Sequence, residues 1–187
     1  MLANTFFETR VEQLFDLAKL IEKIFSHAGV EYRVIGGLAV YLYVEEATPD
    51  AGRLTRDIDI VIRREDIQKI AQAAKAFGFE HRHVAGTDML LQTADPSVRR
   101  AVHLVFAGEK VRPDYSEPAP ALKLGRTLRG VRLIPLADLV RMKLTSFRAK
   151  DEAHLKDLDQ AGLITQEMEA DLPLVLTERL AQMRIRD

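Results

Sequence analysis

Two aspartates separated by one apolar residue are the clearest chemical feature of this sequence. Asp57 and Asp59 flank Ile58, and Ile60 follows, a run typical of a strand with acids at its start. Because successive side chains of a strand point to opposite faces, both carboxylates are predicted to lie on the same side. Two like charges so close repel each other, and a hard divalent cation such as Mg²⁺ relieves that repulsion.

The same pair of acids also has a purely structural explanation. Surface carboxylates pair readily with arginines, and Arg56, Arg63 and Arg64 are close by in the sequence. An isolated acid-apolar-acid run is therefore weak support for a metal site, and its context has to decide.

A glycine pair lies upstream of the acids, where a strand is predicted to lead into a helix. Tyr32–Ile35 is rich in strand-forming residues, Gly36 and Gly37 follow, and Leu38–Val44 is apolar with helical potential. Backbone N–H groups at the start of a helix bind anions, and glycine lets a phosphate approach closely. Glycine pairs are also common in plain tight turns, so the phosphate site depends on the combination with the two aspartates.

The predicted elements place these residues in a mixed α/β (α+β) fold. An amphipathic helix is predicted over 6–28 and another over 65–77, with a loop over 45–54. Strands are predicted over 32–35, 57–62, 79–84, 89–92, 101–106 and 131–134, and helices over 136–147, 151–161 and 174–185. We therefore expect a core with its N-terminal helix over 1–135. A C-terminal helical extension over 136–187 packs on that core to give a single compact unit.

The composition is that of an ordinary globular protein with an apolar interior. The 187 residues are 47% hydrophobic and 29% charged, with a formal net charge of −1, which argues against a protein that coats nucleic acid indiscriminately. The absence of cysteine excludes disulfides, thiolate zinc sites and cysteine nucleophiles. Without a signal-peptide pattern or an apolar run of membrane-spanning length, we expect a cytoplasmic protein that contacts no membrane.

Positive charge is concentrated in one segment. The segment from Lys110 to Lys150 contains ten lysines and arginines and three acids, which gives it a net charge of +7. This segment is a candidate surface for phosphate groups. The alternative is a set of solvated side chains that acids elsewhere in the fold balance.

The glycine pair and the acids together resemble the DNA polymerase β-like nucleotidyltransferase superfamily. Its signature is an apolar residue, two small residues, a spacer and an acid-apolar-acid strand, matched here by Ile35-Gly36-Gly37 and Asp57-Ile58-Asp59-Ile60. With Thr55-Arg56 before the acids, the motif is most similar to the AbiEii-type branch, which contains toxins. A helical lysine, Lys143, and the later basic, Asp-containing run 147–158 agree with that branch.

The resemblance implies a nucleotidyltransferase fold and a set of site residues. It implies Mg²⁺ or Mn²⁺ on Asp57 and Asp59, with the triphosphate against the glycine pair. The nucleotide-binding residues that it implies are Gly36, Gly37, Thr55, Lys143, Arg148 and Asp157. Lys143 and Arg148 are suited to place positive charge near the leaving pyrophosphate. In the structural alternatives, the stem of Lys143 lies along its helix with the ammonium in water, and Asp157 is a surface acid near His154.

One departure from the superfamily concerns the third acid that polymerase-type relatives carry on a later strand. In the predicted strand Ala101–Phe106, His103 is the only polar residue and faces away from its apolar neighbours. A neutral imidazole can act as a general base, so His103 is a third candidate catalytic residue beside Asp57 and Asp59. It equally fits lost catalysis or a structural histidine, and Asp88, Asp95 and Asp114 are alternative acids from loops.

Three functions of different classes follow from these patterns. The first is an enzyme that transfers a nucleoside monophosphate from an NTP to an RNA end, a protein hydroxyl or a small molecule such as an aminoglycoside. The second is a nucleotide-binding or regulatory, antitoxin-like module without turnover. The third is a protein-interaction domain whose acids are surface charges. The toxin branch also implies a cognate antitoxin as partner, and the sequence leaves the oligomeric state open.

Overall fold

The structure, a computed structural model, describes residues 2–53, 55, 57–95 and 101–185. Helix α1 (Leu2–Ala28) is followed by strand β1 (Arg33–Ile35) and helix α2 (Gly36–Ala47). Strand β2 (Ile58–Ile62) leads through a 3-10 turn (Arg64–Asp66) into helix α3 (Ile67–Lys75). Strands β3 (Phe79–Val84), β4 (Thr87–Gln92) and β5 (Val102–Phe106) complete this part of the chain.

A short ribbon and a group of helices form the rest of the chain. Strands β6 (Thr127–Leu128) and β7 (Val131–Arg132) pair with each other. They precede α4 (Leu136–Ser146), α5 (Ala149–Gln160), α6 (Gln166–Ala170) and α7 (Leu174–Ile185). Within the described ranges, no helix has both the length and the apolar character needed to cross a membrane.

Five strands form one mixed sheet in the order β1-β2-β5-β4-β3. Strand β2 runs antiparallel to β1 and parallel to β5, while β4 runs antiparallel to both β5 and β3. The register places Asp59 of β2 between Ile35 of β1 and His103 of β5. A predicted acid and a predicted histidine, 44 residues apart in the chain, are therefore direct neighbours in the sheet.

One apolar core holds the sheet and the helices together. Buried side chains from α1, the sheet, α4 and α7 form a continuous cluster that includes Phe25, Ile60, Leu144 and Leu180. Strand β2 is an interior strand with buried residues on both faces, which explains why its sequence is an almost unbroken apolar run. At the C-terminal end, Arg179 of α7 donates to the last carbonyl groups of α4 at 2.7 Å, which ties these two helices together.

The structure confirms the mixed α/β fold and corrects several predicted boundaries. Helix α2 runs to Ala47, so Glu45 and Glu46 are helical rather than part of the predicted loop. Strand β2 begins at Ile58, one residue after Asp57. The patterns missed α6 and β6, because elements of five and two residues are too short to show a periodicity.

Candidate functional site

A cavity of about 570 Å³ opens between the sheet and α4, and we call it the central cavity. Its walls include five residues that the sequence singled out, namely Gly36, Asp59, His103, Lys143 and Arg148. These residues come from β1–α2, β2, β5, α4 and the α4–α5 connection. The other predicted residues, Gly37, Thr55, Asp57 and Asp157, do not line this cavity.

Asp59 and His103 form a pair on the floor of the central cavity. His103 Nδ1 lies 3.1 Å from Asp59 Oδ1, within hydrogen-bond distance. This hydrogen bond, with further attraction from the Asp59 and Asp57 charges, raises the pKa of His103, although burial opposes the change. The face that His103 occupies is the one predicted from the alternation of β5, since Val102, Leu104 and Phe106 are buried on the other face.

Asp57 lies just before β2, and among the described residues it pairs with a cation from α5. Lys150 Nζ is 3.9 Å from Asp57 Oδ2, and the side chains of both residues are partly exposed. The predicted structural partners are engaged elsewhere: Arg63 with Asp66, and Arg64 with Glu109. Arg56 lies outside the described residues. Among the described residues, the arginines that could have neutralised Asp57 and Asp59 therefore pair with other acids.

Gly36 has a specific steric reason to be glycine. Its φ of +69° lies in the left-handed region, and a Cβ at this position would be 2.0 Å from Asp59 Oδ2. The missing side chain therefore makes room for the carboxylate of Asp59. Helix α2 begins here, and its N-cap residue Ile35 provides no side-chain cap, so its first N–H groups lack that partner.

Lys143 and Arg148 lie together at the helical side of the central cavity. Lys143 is only 6% exposed, and its Nζ donates to Asp151 Oδ1 at 2.9 Å. Arg148 Nε donates to Asp151 Oδ2 at 2.7 Å. The predicted alternative, a lysine with its ammonium in water, is therefore wrong for Lys143.

Two polar side chains, Thr55 and His154, lie close to Gly37 of the glycine turn. A Cβ on Gly37 would lie 2.6 Å from Thr55 Oγ1 and 3.5 Å from His154 Cε1, so the three residues are closely packed. Asp157, one turn along α5 from His154, is 9% exposed and pairs with Arg53 Nε at 2.9 Å. The surface-acid interpretation of Asp157 is therefore wrong, and its described partner is Arg53 rather than His154.

Comparison with solved structures identifies the architecture around this site. A nucleotidyltransferase-like protein from Paracoccidioides brasiliensis matches over 90% of this chain and 85% of its own, with 18% identity and a TM-score of 0.54. The crystal structure of ANT(2″)-Ia in complex with adenylyl-2″-tobramycin matches over 91% and 98%, with 13% identity and a TM-score of 0.53. No protein-family model and no curated protein sequence matches the chain. The chain has the nucleotidyltransferase fold.

In a nucleotidyltransferase fold, the implied divalent metal can be tested against the donors that are present. No three histidine or acidic side chains among the described residues are grouped so that they would hold a metal ion alone. Asp57 and Asp59 are partly exposed, and the absence of a side chain on Gly36 lets the Asp59 carboxylate lie against the glycine turn. Since Mg²⁺ typically uses one or two carboxylates together with substrate phosphate oxygens, this donor set fits a metal that arrives with a nucleotide.

None of the three alternative acids, Asp88, Asp95 and Asp114, lines the central cavity of this nucleotidyltransferase fold. Asp88 pairs with Leu104 in the sheet, on the face opposite to His103, and binds His81 at 2.8 Å. These acids are therefore not positioned beside Asp59 as substitutes for the third carboxylate.

Sequence reasoning missed several residues that border the cavity. Asp151, Ser146, Tyr115 and Glu117 were not predicted as site residues, and all four line it. Tyr115 and Glu117 lie in a loop whose neck is closed by backbone hydrogen bonds of 2.8 Å between 108–109 and Ala119. Of these residues, only Asp151 had a signal in the sequence, because it belongs to the basic, Asp-containing run 147–158. That run indicated a segment and not Asp151 itself.

The basic segment 110–150 divides between structural and cavity positions. Most of its cations pair with acids or carbonyl groups elsewhere in the fold, as Arg126 does with Glu46 and Arg132 with Glu22. Three of them, Arg112, Lys143 and Arg148, line the central cavity. The segment therefore contributes local positive charge to the cavity instead of forming one continuous basic surface.

His154 leads to a prediction about stability against acid. Burial, together with the charges of Lys143 and Lys150, lowers the pKa of His154 to about 4, while Asp151 opposes this effect. The unfolded chain takes up a proton near pH 6.5, whereas the folded protein does so only near pH 4. The contribution of neutral, buried His154 to the free energy of unfolding is therefore fully present above pH 6.5 and is lost as the pH falls toward 4. The loss should be on the order of 2 kcal/mol after allowance for solvent screening.

Urea unfolding of the wild type and of His154→Gln at several pH values between 7.5 and 4.5 measures this effect. We expect the free energy of unfolding of the variant to fall less steeply with acid. An equal decline in both proteins would show that other groups cause the loss.

Proposed function

We propose that this chain transfers a nucleoside monophosphate from a divalent metal–NTP complex to a hydroxyl acceptor. The observation that carries the proposal is the meeting of Gly36, Asp59, His103, Lys143 and Arg148 on one cavity. They come from separate parts of a chain with a nucleotidyltransferase fold, and their chemistry suits a phosphate ester. ANT(2″)-Ia, which shares the fold, was crystallised with an adenylylated molecule, which supports this type of reaction.

Each group has a definite part in the proposed reaction. The acceptor oxygen attacks the α-phosphorus, pyrophosphate leaves, and the hydroxyl proton must be removed. Phosphate oxygens accept hydrogen bonds from the first N–H groups of α2, beside Gly36 and Gly37. Lys143 and Arg148 stabilise the negative charge that develops on pyrophosphate, and His103 receives the proton. Asp57 and Asp59 would hold Mg²⁺ or Mn²⁺, which supplies positive charge to the phosphate oxygens when bound.

Thr55 and Asp157 have an indirect part in this proposal. Thr55 packs against Gly37 and is close to the chain segment that carries Asp57. Asp157 pairs with Arg53, which belongs to the same connection between α2 and β2. Thr55 therefore supports the nucleotide site by holding that connection against α2, and Asp157 does so by holding it against α5.

A second candidate function is a nucleotide-binding or regulatory module without turnover. The observation in its favour is His103, which occupies the strand position beside Asp59 where a third carboxylate was expected. In that case Asp59 is held by His103, and the cavity binds a nucleotide but transfers nothing. The assignment to the AbiEii-type branch, with a cognate antitoxin as partner, is a further proposal that depends on the sequence motifs alone.

Label transfer distinguishes these two functions. The purified protein is incubated with each α-labelled NTP, Mg²⁺ or Mn²⁺, and either total RNA or a cell lysate. We expect covalent label on RNA, protein or a small molecule, and the labelled fraction identifies the acceptor class. Nucleotide binding without label on any fraction would overturn the enzyme and favour the binding module.

Lys143→Ala should weaken triphosphate binding far more than monophosphate binding. The lysine is proposed to contact the distal phosphates, and a charged hydrogen bond contributes about 1.5–3 kcal/mol, so we expect a roughly 10- to 100-fold loss for ATP. AMP affinity should change by less than about threefold, because AMP lacks those phosphates. Isothermal titration calorimetry measures both affinities.

Ser146→Ala is the matched control for this variant. It also removes a donor to Asp151, which Ser146 Oγ contacts at 2.8 Å, but it removes no charge. An equal loss of ATP and AMP affinity in Lys143→Ala would contradict a role at the distal phosphates.

A further inference from the structure

Asp151 is the most enclosed carboxylate that borders the central cavity. It is 0% exposed, and both of its oxygens are occupied by donors. Lys143 Nζ donates to Oδ1 at 2.9 Å, while Ser146 Oγ and Arg148 Nε donate to Oδ2 at 2.8 and 2.7 Å. The backbone N–H of Arg148 adds a longer contact of 3.3 Å to Oδ2. Two cations that face the cavity therefore share one buried anion.

The local backbone explains how these groups come together. Helix α4 ends at Ser146, and Phe147 adopts a left-handed φ of +43°, which turns the chain at once into α5. Asp151 then lies in the first turn of α5, where the partial positive charge of a helix start favours a carboxylate. Burial alone would raise the pKa of Asp151, but the hydrogen bonds from Arg148, Lys143 and Ser146 lower it well below its usual range.

The placement of Asp151 excludes two direct roles in the reaction. A general base must reach the acceptor hydroxyl, and a metal ligand must offer a free oxygen lone pair to the ion. Asp151 has no exposed surface, and its oxygens already accept several hydrogen bonds. Its contacts instead act on Lys143 and Arg148, which line the same cavity.

We propose that Asp151 is a positioning residue that fixes Lys143 and Arg148 at the cavity wall before a polyphosphate binds. A free lysine or arginine side chain carries considerable rotamer entropy, which binding would otherwise remove. With Asp151 in place that ordering is already complete, and the pair of cations retains one net positive charge toward the cavity. This proposal rests on the proposed function only in taking the bound anion to be a polyphosphate. The effect of Asp151 on Lys143 is measurable without a nucleotide.

Asp151→Asn separates positioning from simple charge balance, because the two predict opposite signs. If Asp151 only neutralises the cations, its loss raises the positive charge and tightens binding of inorganic triphosphate. If it positions them, the binding weakens, and we expect a roughly tenfold loss of affinity. AMP affinity should change little. Calorimetry with inorganic triphosphate, ATP and AMP measures all three quantities.

The reactivity of Lys143 toward an acylating reagent, mapped by mass spectrometry, tests the same idea in the protein alone. In the wild type we expect slow labelling of Lys143 compared with the exposed Lys75. In Asp151→Asn the labelling of Lys143 should rise toward that of Lys75. Asp159→Asn is the matched control on the same helix: its partner is Arg184 at 2.7 Å, so Lys143 should remain protected.

Arg148→Gln provides a second variant if Asp151→Asn fails to fold. Arg148 is more than half exposed, and the Lys143 contact to the other oxygen of Asp151 is left intact, so Lys143 should remain slow to label. Three outcomes would overturn the proposal: unchanged Lys143 labelling in Asp151→Asn, tighter triphosphate binding in that variant, or a reactive Lys143 in Arg148→Gln. If the wild type binds no NTP, the proposed function fails, but the labelling experiment still decides the role of Asp151.

Discussion

Replacing Asp57 and Asp59 together by alanine should abolish the rise in melting temperature that Mg²⁺ or Mn²⁺ with an NTP produces in the wild type. At a ligand concentration 100 times the dissociation constant, binding adds about 2.7 kcal/mol to the free energy of unfolding. For a protein of this size, that corresponds to a rise of roughly 5–10 °C. The double variant loses both proposed metal ligands, so the rise should disappear.

The geometry of the site explains why we expect so large a loss of the ligand-induced rise in melting temperature. Asp59 lines the central cavity beside Gly36, and Asp57 lies one residue before the strand that carries Asp59. Removal of both carboxylates leaves the phosphate groups of an NTP with cations and backbone N–H groups but no metal. Thermal unfolding is measured with NTP and metal together, and with each component alone.

Asp88→Ala is a suitable control because it removes a carboxylate from the opposite face of the same sheet. Its own melting temperature will change as the contacts with His81 and His83 are lost, but the ligand-induced rise should persist. An undiminished rise in the double aspartate variant would overturn the assignment of the metal ligands.

His103→Ala should separate chemistry from binding. If His103 receives the acceptor proton, its loss should slow nucleotidyl transfer by roughly 10²-fold or more. NTP affinity should stay within about threefold of the wild type, because the phosphate and metal contacts belong to other residues. Single-turnover transfer rates and calorimetric affinities, both measured at saturating metal, give the two quantities.

His103→Asp tests the competing explanation, in which the position has lost a metal ligand. A third carboxylate adds negative charge and a ligand oxygen next to Asp59, so this explanation predicts tighter metal–NTP binding or new activity. Tighter binding in His103→Asp, with normal transfer in His103→Ala, would contradict the proton-acceptor role. If neither variant changes binding or transfer, His103 has no part in the site despite its contact with Asp59.

The sequence was most informative where chemistry and local periodicity coincided. The alternation of β5 predicted the face on which His103 lies, and the strand–glycine–helix pattern predicted a helix after β1, although α2 begins at Gly36 rather than at Leu38. Gly36 was predicted to allow the close approach of a phosphate. The structure adds a different close contact, with the Asp59 carboxylate, which only the pairing of β1 with β2 could reveal.

Local patterns determined the mixed α/β class, most elements and the presence of two acids and a glycine turn, because periodicity and turn chemistry act over a few residues. The tertiary structure alone decided which distant groups meet. It paired Asp59 with His103, joined Lys143 and Arg148 through Asp151, and paired Asp157 with Arg53. The physical reason is that a buried charge needs a partner, and the choice among many acids and bases depends on how the strands and helices pack rather than on sequence spacing.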